Sequence, residues 1–117
     1  MSQHWEITQK DYGTVLTILH DWDLDIANQF LSYVENNLDL DRGKSFIFDL
    51  HLVNHIDSMV IGIIISISKR VKKRGDRVIL FMPSQIVEKL LFDIGLLSYF
   101  EVFDSEEKMV QSLTSET

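Results

Sequence analysis

Two short runs, SFIFDL at Ser45–Leu50 and RVILFM at Arg77–Met82, are apolar with almost no polar alternation. A strand with no polar face is buried on both sides, as in parallel sheets covered by helices. Between them lies Met59–Arg74, whose isoleucines favour a strand by propensity. Its length, Asp57-Ser58 in front and Gly75 behind favour a helix. A helix that is apolar nearly all round must be largely buried. We read this segment as a helix with Ile63, Ile64 and Ile67 in the core.

The remaining elements fall on either side. Trp5–Gln9 and the β-branched Thr14–His20 read as strands, with a turn at Gly13. Ile26, Phe30, Leu31, Val34 and Leu38 share one helical face, with Asp23 or Asp25 placed to cap it. The run DLDRG, 39–43, breaks that helix. Ser84 caps a helix carrying Ile86, Val87, Leu90 and Leu91, which ends near Gly95. Glu101–Phe103 is a brief strand, and Asp104 with Glu107 fits a capping box for a last helix through Leu113.

The order is strand, strand, helix, then strand–helix repeated. It predicts one α/β domain over 1–117, with its core within 4–113 and a mixed, mostly parallel sheet with about four helices. The first two strands are expected to pair as a hairpin. Sites in open sheets gather at the carboxyl ends of strands, and the loop Leu52–Ser58 lies at such an end.

Composition narrows the function. A chain of 117 residues with 45% hydrophobic content builds one core. The absence of cysteine excludes disulfides and thiol chemistry and fits a reducing, cytoplasmic setting. The amino terminus lacks the basic start and apolar stretch of a signal peptide. The longest apolar run, Met59–Ile67, falls short of the ~20 residues of a membrane span, so no membrane insertion is expected. A net charge of −7 argues against nucleic acid as a partner. The cations Lys69, Arg70, Lys72, Lys73, Arg74 and Arg77 read as a solvated, dipole-favoured helix end.

No enzymatic constellation emerges. Asp21, Asp23 and Asp25 alternate like a calcium loop, but Ile26 and Ser32 stand where that loop needs glycine and glutamate. His51 and His55 span a strand end and a loop, where a four-residue spacing does not converge on zinc. No glycine-rich phosphate loop and no nucleophile–base pair is visible. The expectation is no enzyme, no metal and no cofactor.

Asp57-Ser58 is then the polar interruption to explain. One reading makes either residue the cap of the next helix, worth ~1 kcal/mol. The other adds chemistry: a phosphate on a hydroxyl at a helix start meets free N–H groups and a favourable dipole.

From Asp49 onward the chain resembles the STAS domain of bacterial anti-sigma factor antagonists. Asp49-Leu50 matches the aspartate-leucine that ends the family's central strand. Ile56-Asp57-Ser58 matches the triplet that opens its helix, and Ile61-Gly62 the end of that motif. LDIAN, Leu24 to Asn28, is similar to the leucine-aspartate after the second strand. The stretch from Arg74 to Leu96 resembles the fourth strand and third helix, and VFDSEEKMV the last strand and helix. Two positions depart from the pattern: Val60 replaces a usual glycine, and Trp22-Asp23 replaces a small residue before Leu24. Both are expected on the partner face.

The resemblance implies a binding switch. The unmodified protein would bind an anti-sigma factor, a serine-protein kinase of the ATPase fold, and so free the sigma factor. Phosphorylation of Ser58 by that kinase would lower affinity, and a PP2C-type phosphatase would reverse it. Asp25, Asn28, His55, Asp57, Ser58, Met59 and Gly62 would form the partner-binding face. Within the same family, a non-switching scaffold and a nucleotide- or lipid-binding module of a larger assembly are the alternatives.

Overall fold

The five strands of the described residues lie side by side in the order in which they occur in the chain. The computed structural model describes residues 3–37, 45–73 and 75–114. Leu38, the break at 39–43 and Arg74 lie outside the described residues. β1 (Trp5–Lys10) and β2 (Gly13–Ile18) form an antiparallel hairpin. β3 (Phe46–Asp49), β4 (Val78–Phe81) and β5 (Glu101–Phe103) follow in parallel. At Gly13 a side chain would clash, because a Cβ would lie 2.5 Å from the Ser45 carbonyl oxygen. That carbonyl accepts from the Thr14 N–H at 2.9 Å, which joins β2 to the start of β3.

Three crossover helices link the parallel strands: α1 (Leu24–Asn37), α2 (Ser58–Lys73) and α3 (Gln85–Asp93). Each crossover steps to the next strand in the same direction. Right-handed connections therefore put all three on one face of the sheet. The packing agrees: Leu16, Phe48 and Leu80 of the sheet share one core with Phe30, Ile64 and Val87 of these helices. The strand residues of opposite parity, Ile47 and Ile79, turn to the other face and meet Met109 of α4 (Glu106–Thr114). The α/β architecture, the hairpin and the mostly parallel sheet agree with the sequence reading. No described helix is long and apolar enough to cross a membrane.

Burial settles the ambiguity of the isoleucine-rich segment. Val60, Ile61, Ile64, Ile67, Ser68 and Val71 are buried, which is a helical repeat. Packing of this face outweighs strand propensity. Ser68 is fully buried and donates to the Ile64 carbonyl at 2.7 Å, so its hydroxyl is satisfied. Ile63 is half-buried, at the margin of the face.

Local expectations shift in three places. β2 ends at Ile18 rather than His20, whose ring bonds His4 and the Asp21 carbonyl. The last helix is capped by Ser105, whose Oγ accepts from Lys108 N–H at 3.3 Å, not by Asp104. That frame puts Met109, Val110 and Leu113 against the second core. The basic cluster is not uniformly solvated. Lys72 donates to the Tyr99 carbonyl at 2.6 Å and lies over that ring. Arg77 makes a bidentate pair with Glu101 and donates to Ser112.

Candidate functional site

The carboxyl ends of β2, β3 and β4 deliver three loops to one end of the sheet, and the side chains tie those loops together. Asp21, in the first loop, accepts from the Asn54 N–H at 2.7 Å and lies 3.6 Å from His55 Nδ1. Ser84, in the third, donates to the Asn54 carbonyl at 3.1 Å while capping α3 through the Val87 N–H. Asp49 closes the strand end, accepting from the His51 N–H and sharing a 2.7 Å hydrogen bond with its Nδ1. Leu50 and Val53 are buried beneath the loop and anchor it.

Ser58 opens α2 from this platform. Asp57 is the cap: its Oδ1 accepts from the N–H groups of Met59 at 2.9 Å and Val60 at 3.0 Å. Its carbonyl accepts the first helical bond, from Ile61. Ser58 is therefore the first residue inside the helix, exposed, with its hydroxyl making no bond among the described residues. The capping bonds are made by Asp57 and do not engage the Ser58 hydroxyl.

The surroundings are acidic. Asp57 precedes Ser58, Asp23 caps α1 through the Ile26 N–H at 2.9 Å, and Asp25 is exposed in the first turn of α1. α1 and α2 start at the same end of the sheet and pack together, so these carboxylates all lie at that end. The cations Lys69, Lys72 and Lys73 of α2 lie at its opposite end. Among the described residues no group of acids and histidines could hold a metal ion.

The residues expected at a partner face are all exposed at this end. Asp25 and Asn28 lie on the first two turns of α1, His55 and Asp57 in the loop, and Ser58, Met59 and Gly62 on α2. Met59 is 62% exposed, and a Cβ at Gly62 would meet nothing within 4 Å. His51 and His55 take separate aspartate partners rather than converging.

Of the positions that depart from the family pattern, Val60 and Trp22 are core residues, contrary to expectation. Val60 is 1% exposed and packs under α2. Trp22 is 7% exposed, packs at a tilt against Phe30 and donates from Nε1 to the His4 carbonyl. Neither faces outward; only Asp23 does.

Sequence reasoning missed the loop ties and a set of exposed apolar residues at the same end. Leu52 follows β3, Met82 follows β4 and Ile86 opens α3. Met82 holds φ +54 with its N–H bonded to the Phe103 carbonyl at 2.8 Å, an uncommon conformation for a non-glycine residue. Asp21 was legible only as one member of an alternating aspartate run.

The STAS domain model matches residues 4–109. A Thermotoga maritima protein proposed to be an anti-sigma factor antagonist has a similar structure, with TM-score 0.83 at 22% identity, covering 95% of each chain. The anti-sigma factor antagonist SpoIIAA, unphosphorylated, superposes with TM-score 0.78 at 16% identity, covering 97% of this chain and 98% of that one. Bacillus SpoIIAA is also known in a phosphorylated form. A Moorella thermoacetica RsbS variant with serine replaced by glutamate matches with TM-score 0.76 at 22% identity, covering 95% of each chain. No curated protein sequence matches this chain.

Proposed function

This chain belongs to the STAS domain family, and on that premise we propose that it is a binding switch of the anti-sigma factor antagonist type. The unmodified protein binds an anti-sigma factor that is also a serine-protein kinase of the ATPase fold. That kinase phosphorylates Ser58, the complex dissociates, and a PP2C-type phosphatase resets the protein in the cytoplasm. The chain itself performs no catalysis.

The observation that carries this reading is the division of labour between neighbours. Asp57 caps α2, so Ser58 is free and exposed at the helix start. A dianion added there is tolerated by the dipole, and the fold survives. The same dianion joins the exposed Asp57, Asp23 and Asp25 at one end of the sheet. A partner matched to the unmodified surface must then desolvate or repel the new charge. The structural relatives support the chemistry, since SpoIIAA exists in both phosphorylation states.

Gly62 adds support. It lies exposed within α2, with open space around it. Glycine inside a helix costs roughly 0.5–1 kcal/mol relative to alanine. Nothing among the described residues needs that small residue, whereas the close approach of a partner backbone would.

The test compares wild type, Ser58→Ala and Ser58→Asp in capture from the native host, with identification of the bound kinase. Ser58→Ala should hold the partner constitutively and Ser58→Asp should hold it weakly. Incubation with the captured kinase and ATP should add one phosphate, at Ser58. If phosphorylated protein and Ser58→Asp bind as tightly as wild type, the switch is refuted and a non-switching scaffold takes its place.

A further inference from the structure

β1 is the outer strand of the sheet, with β2 on one side only. The register pairs Glu6 with Thr17, Thr8 with Val15 and Lys10 with Gly13. The Leu19 N–H donates to the His4 carbonyl at 3.1 Å, so the even-numbered residues of β1 direct their backbone groups toward β2. By the alternation of an antiparallel ladder, Ile7 and Gln9 direct theirs outward. Among the described residues nothing bonds these outward groups. An open row of this kind is a template for another strand.

The side chains name the strand that fits. Glu6, Thr8 and Lys10 are exposed and share one face, the face of Val15 and α4. Neither Glu6 nor Lys10 is in an ion pair among the described residues. Their charges are opposite and stand symmetrically about Thr8. Lone lysines on an edge would repel a second copy. This arrangement is complementary to its own reverse.

We propose that the β1 edge pairs antiparallel with the β1 edge of a second copy, about a two-fold axis at Thr8. Ile7 and Gln9 of each copy then exchange backbone hydrogen bonds, which is what their outward groups lack. Thr8 faces the partner's Thr8 in a non-hydrogen-bonded pair. Glu6 faces the partner's Lys10, and the reverse, as close cross-strand ion pairs. The contact is isologous and closes on itself. It lies along the side of the sheet and leaves the Ser58 end of each copy open, so it does not depend on the switch reading.

The cysteine-free chain gives a direct test. In the proposed register the two Thr8 Cα atoms stand about 4.5 Å apart, within disulfide range. Thr8→Cys should therefore oxidise rapidly to a covalent dimer. Glu6→Cys should not, because its two copies lie about 13 Å apart along the paired strands. Sedimentation of the full chain from about 10 µM to 1 mM, a range suited to a small interface, should show a reversible dimer weakened by salt. Lys10→Glu should raise its dissociation constant about tenfold or more, because two attractive pairs become repulsive. The charge-swapped Glu6→Lys/Lys10→Glu chain should restore it. Ile7→Pro removes an outward donor and should abolish the dimer while the circular dichroism of the fold is kept. A monomer throughout, cross-linking of Thr8→Cys no faster than Glu6→Cys, or failure of the swapped chain to recover would each overturn the proposal.

Discussion

Asp21 accepts a hydrogen bond from the Asn54 N–H at 2.7 Å, so a side chain of one loop holds the loop that leads to Ser58. Ser84 grips the Asn54 carbonyl from the other side. Asp21→Ala should leave the fold intact and loosen this clamp. A hydrogen bond to a carboxylate contributes about 1.5–3 kcal/mol, reduced here by exposure. Amide exchange at Asn54 should therefore speed up about tenfold relative to wild type, with β3 amides unchanged. Unchanged exchange at Asn54 would show that the loop holds itself.

Asp57 and Ser58 should separate in stability measurements. Asp57→Ala removes the cap and should cost about 0.5–2 kcal/mol in urea unfolding. Ser58→Ala should stay within about 0.5 kcal/mol of wild type, as for an exposed substitution. Ser58→Asp should match or slightly exceed wild-type stability, by up to about 0.5 kcal/mol at low salt, because a carboxylate favours the helix start. Equal losses for Asp57→Ala and Ser58→Ala would mean that the serine shares the capping role.

Gly62→Ala should move stability and binding in opposite directions. The helix gains roughly 0.5–1 kcal/mol, since a Cβ there meets nothing within 4 Å. Partner affinity should fall at the same time. A variant that is more stable and binds normally would remove Gly62 from the interface.

The core assignments of α2 predict a graded series. Ile64→Ala should cost about 2–5 kcal/mol, and Ile63→Ala less, because it is half-buried. Val60→Gly, which restores the residue usual in the family, should destabilise by about 2–4 kcal/mol through lost packing and helix propensity. A neutral Val60→Gly would place that side chain on the surface after all.

Tyr12 gives a pH dependence. Burial, followed by the nearby Glu106 carboxylate, raises its phenol above the ordinary value of 10.0. Folding thus favours the neutral phenol more than the unfolded chain does. The stability this provides is fully present below pH 10 and is lost as pH rises through the higher folded value. Unfolding midpoints measured from pH 9 upward should decline more steeply for wild type than for Tyr12→Phe, with pH 10 as the reference value. Parallel declines would mean that Tyr12 titrates alike in both states.

What could be read from the residues was local and periodic. Capping signals, the length of the isoleucine-rich segment between Asp57-Ser58 and Gly75, and the apolar strands at Phe46 and Val78 are short-range patterns, each carried by neighbouring residues. Together they imply the alternating α/β order and the helix start at Asp57-Ser58. The exposure of Asp25, Asn28, Met59 and Gly62 followed from that order and the family motif.

The rest depended on residues far apart in the chain. Asp21, Asp23 and Asp25 read alike, yet one clamps Asn54, one caps α1 and one stays exposed. Motif spacing put Val60 and Trp22 on the outer face, but the rotation of a helix about its axis is set by its whole buried side. That rotation turned Val60 inward, and Trp22 was drawn under β1 by Trp5, Phe30 and the His4 carbonyl. The outward backbone row of β1 exists only because this strand pairs on one side. Composition and period therefore determined which elements form. Tertiary packing decided which face each residue shows, because facing is a property of contacts between segments and not of any one segment.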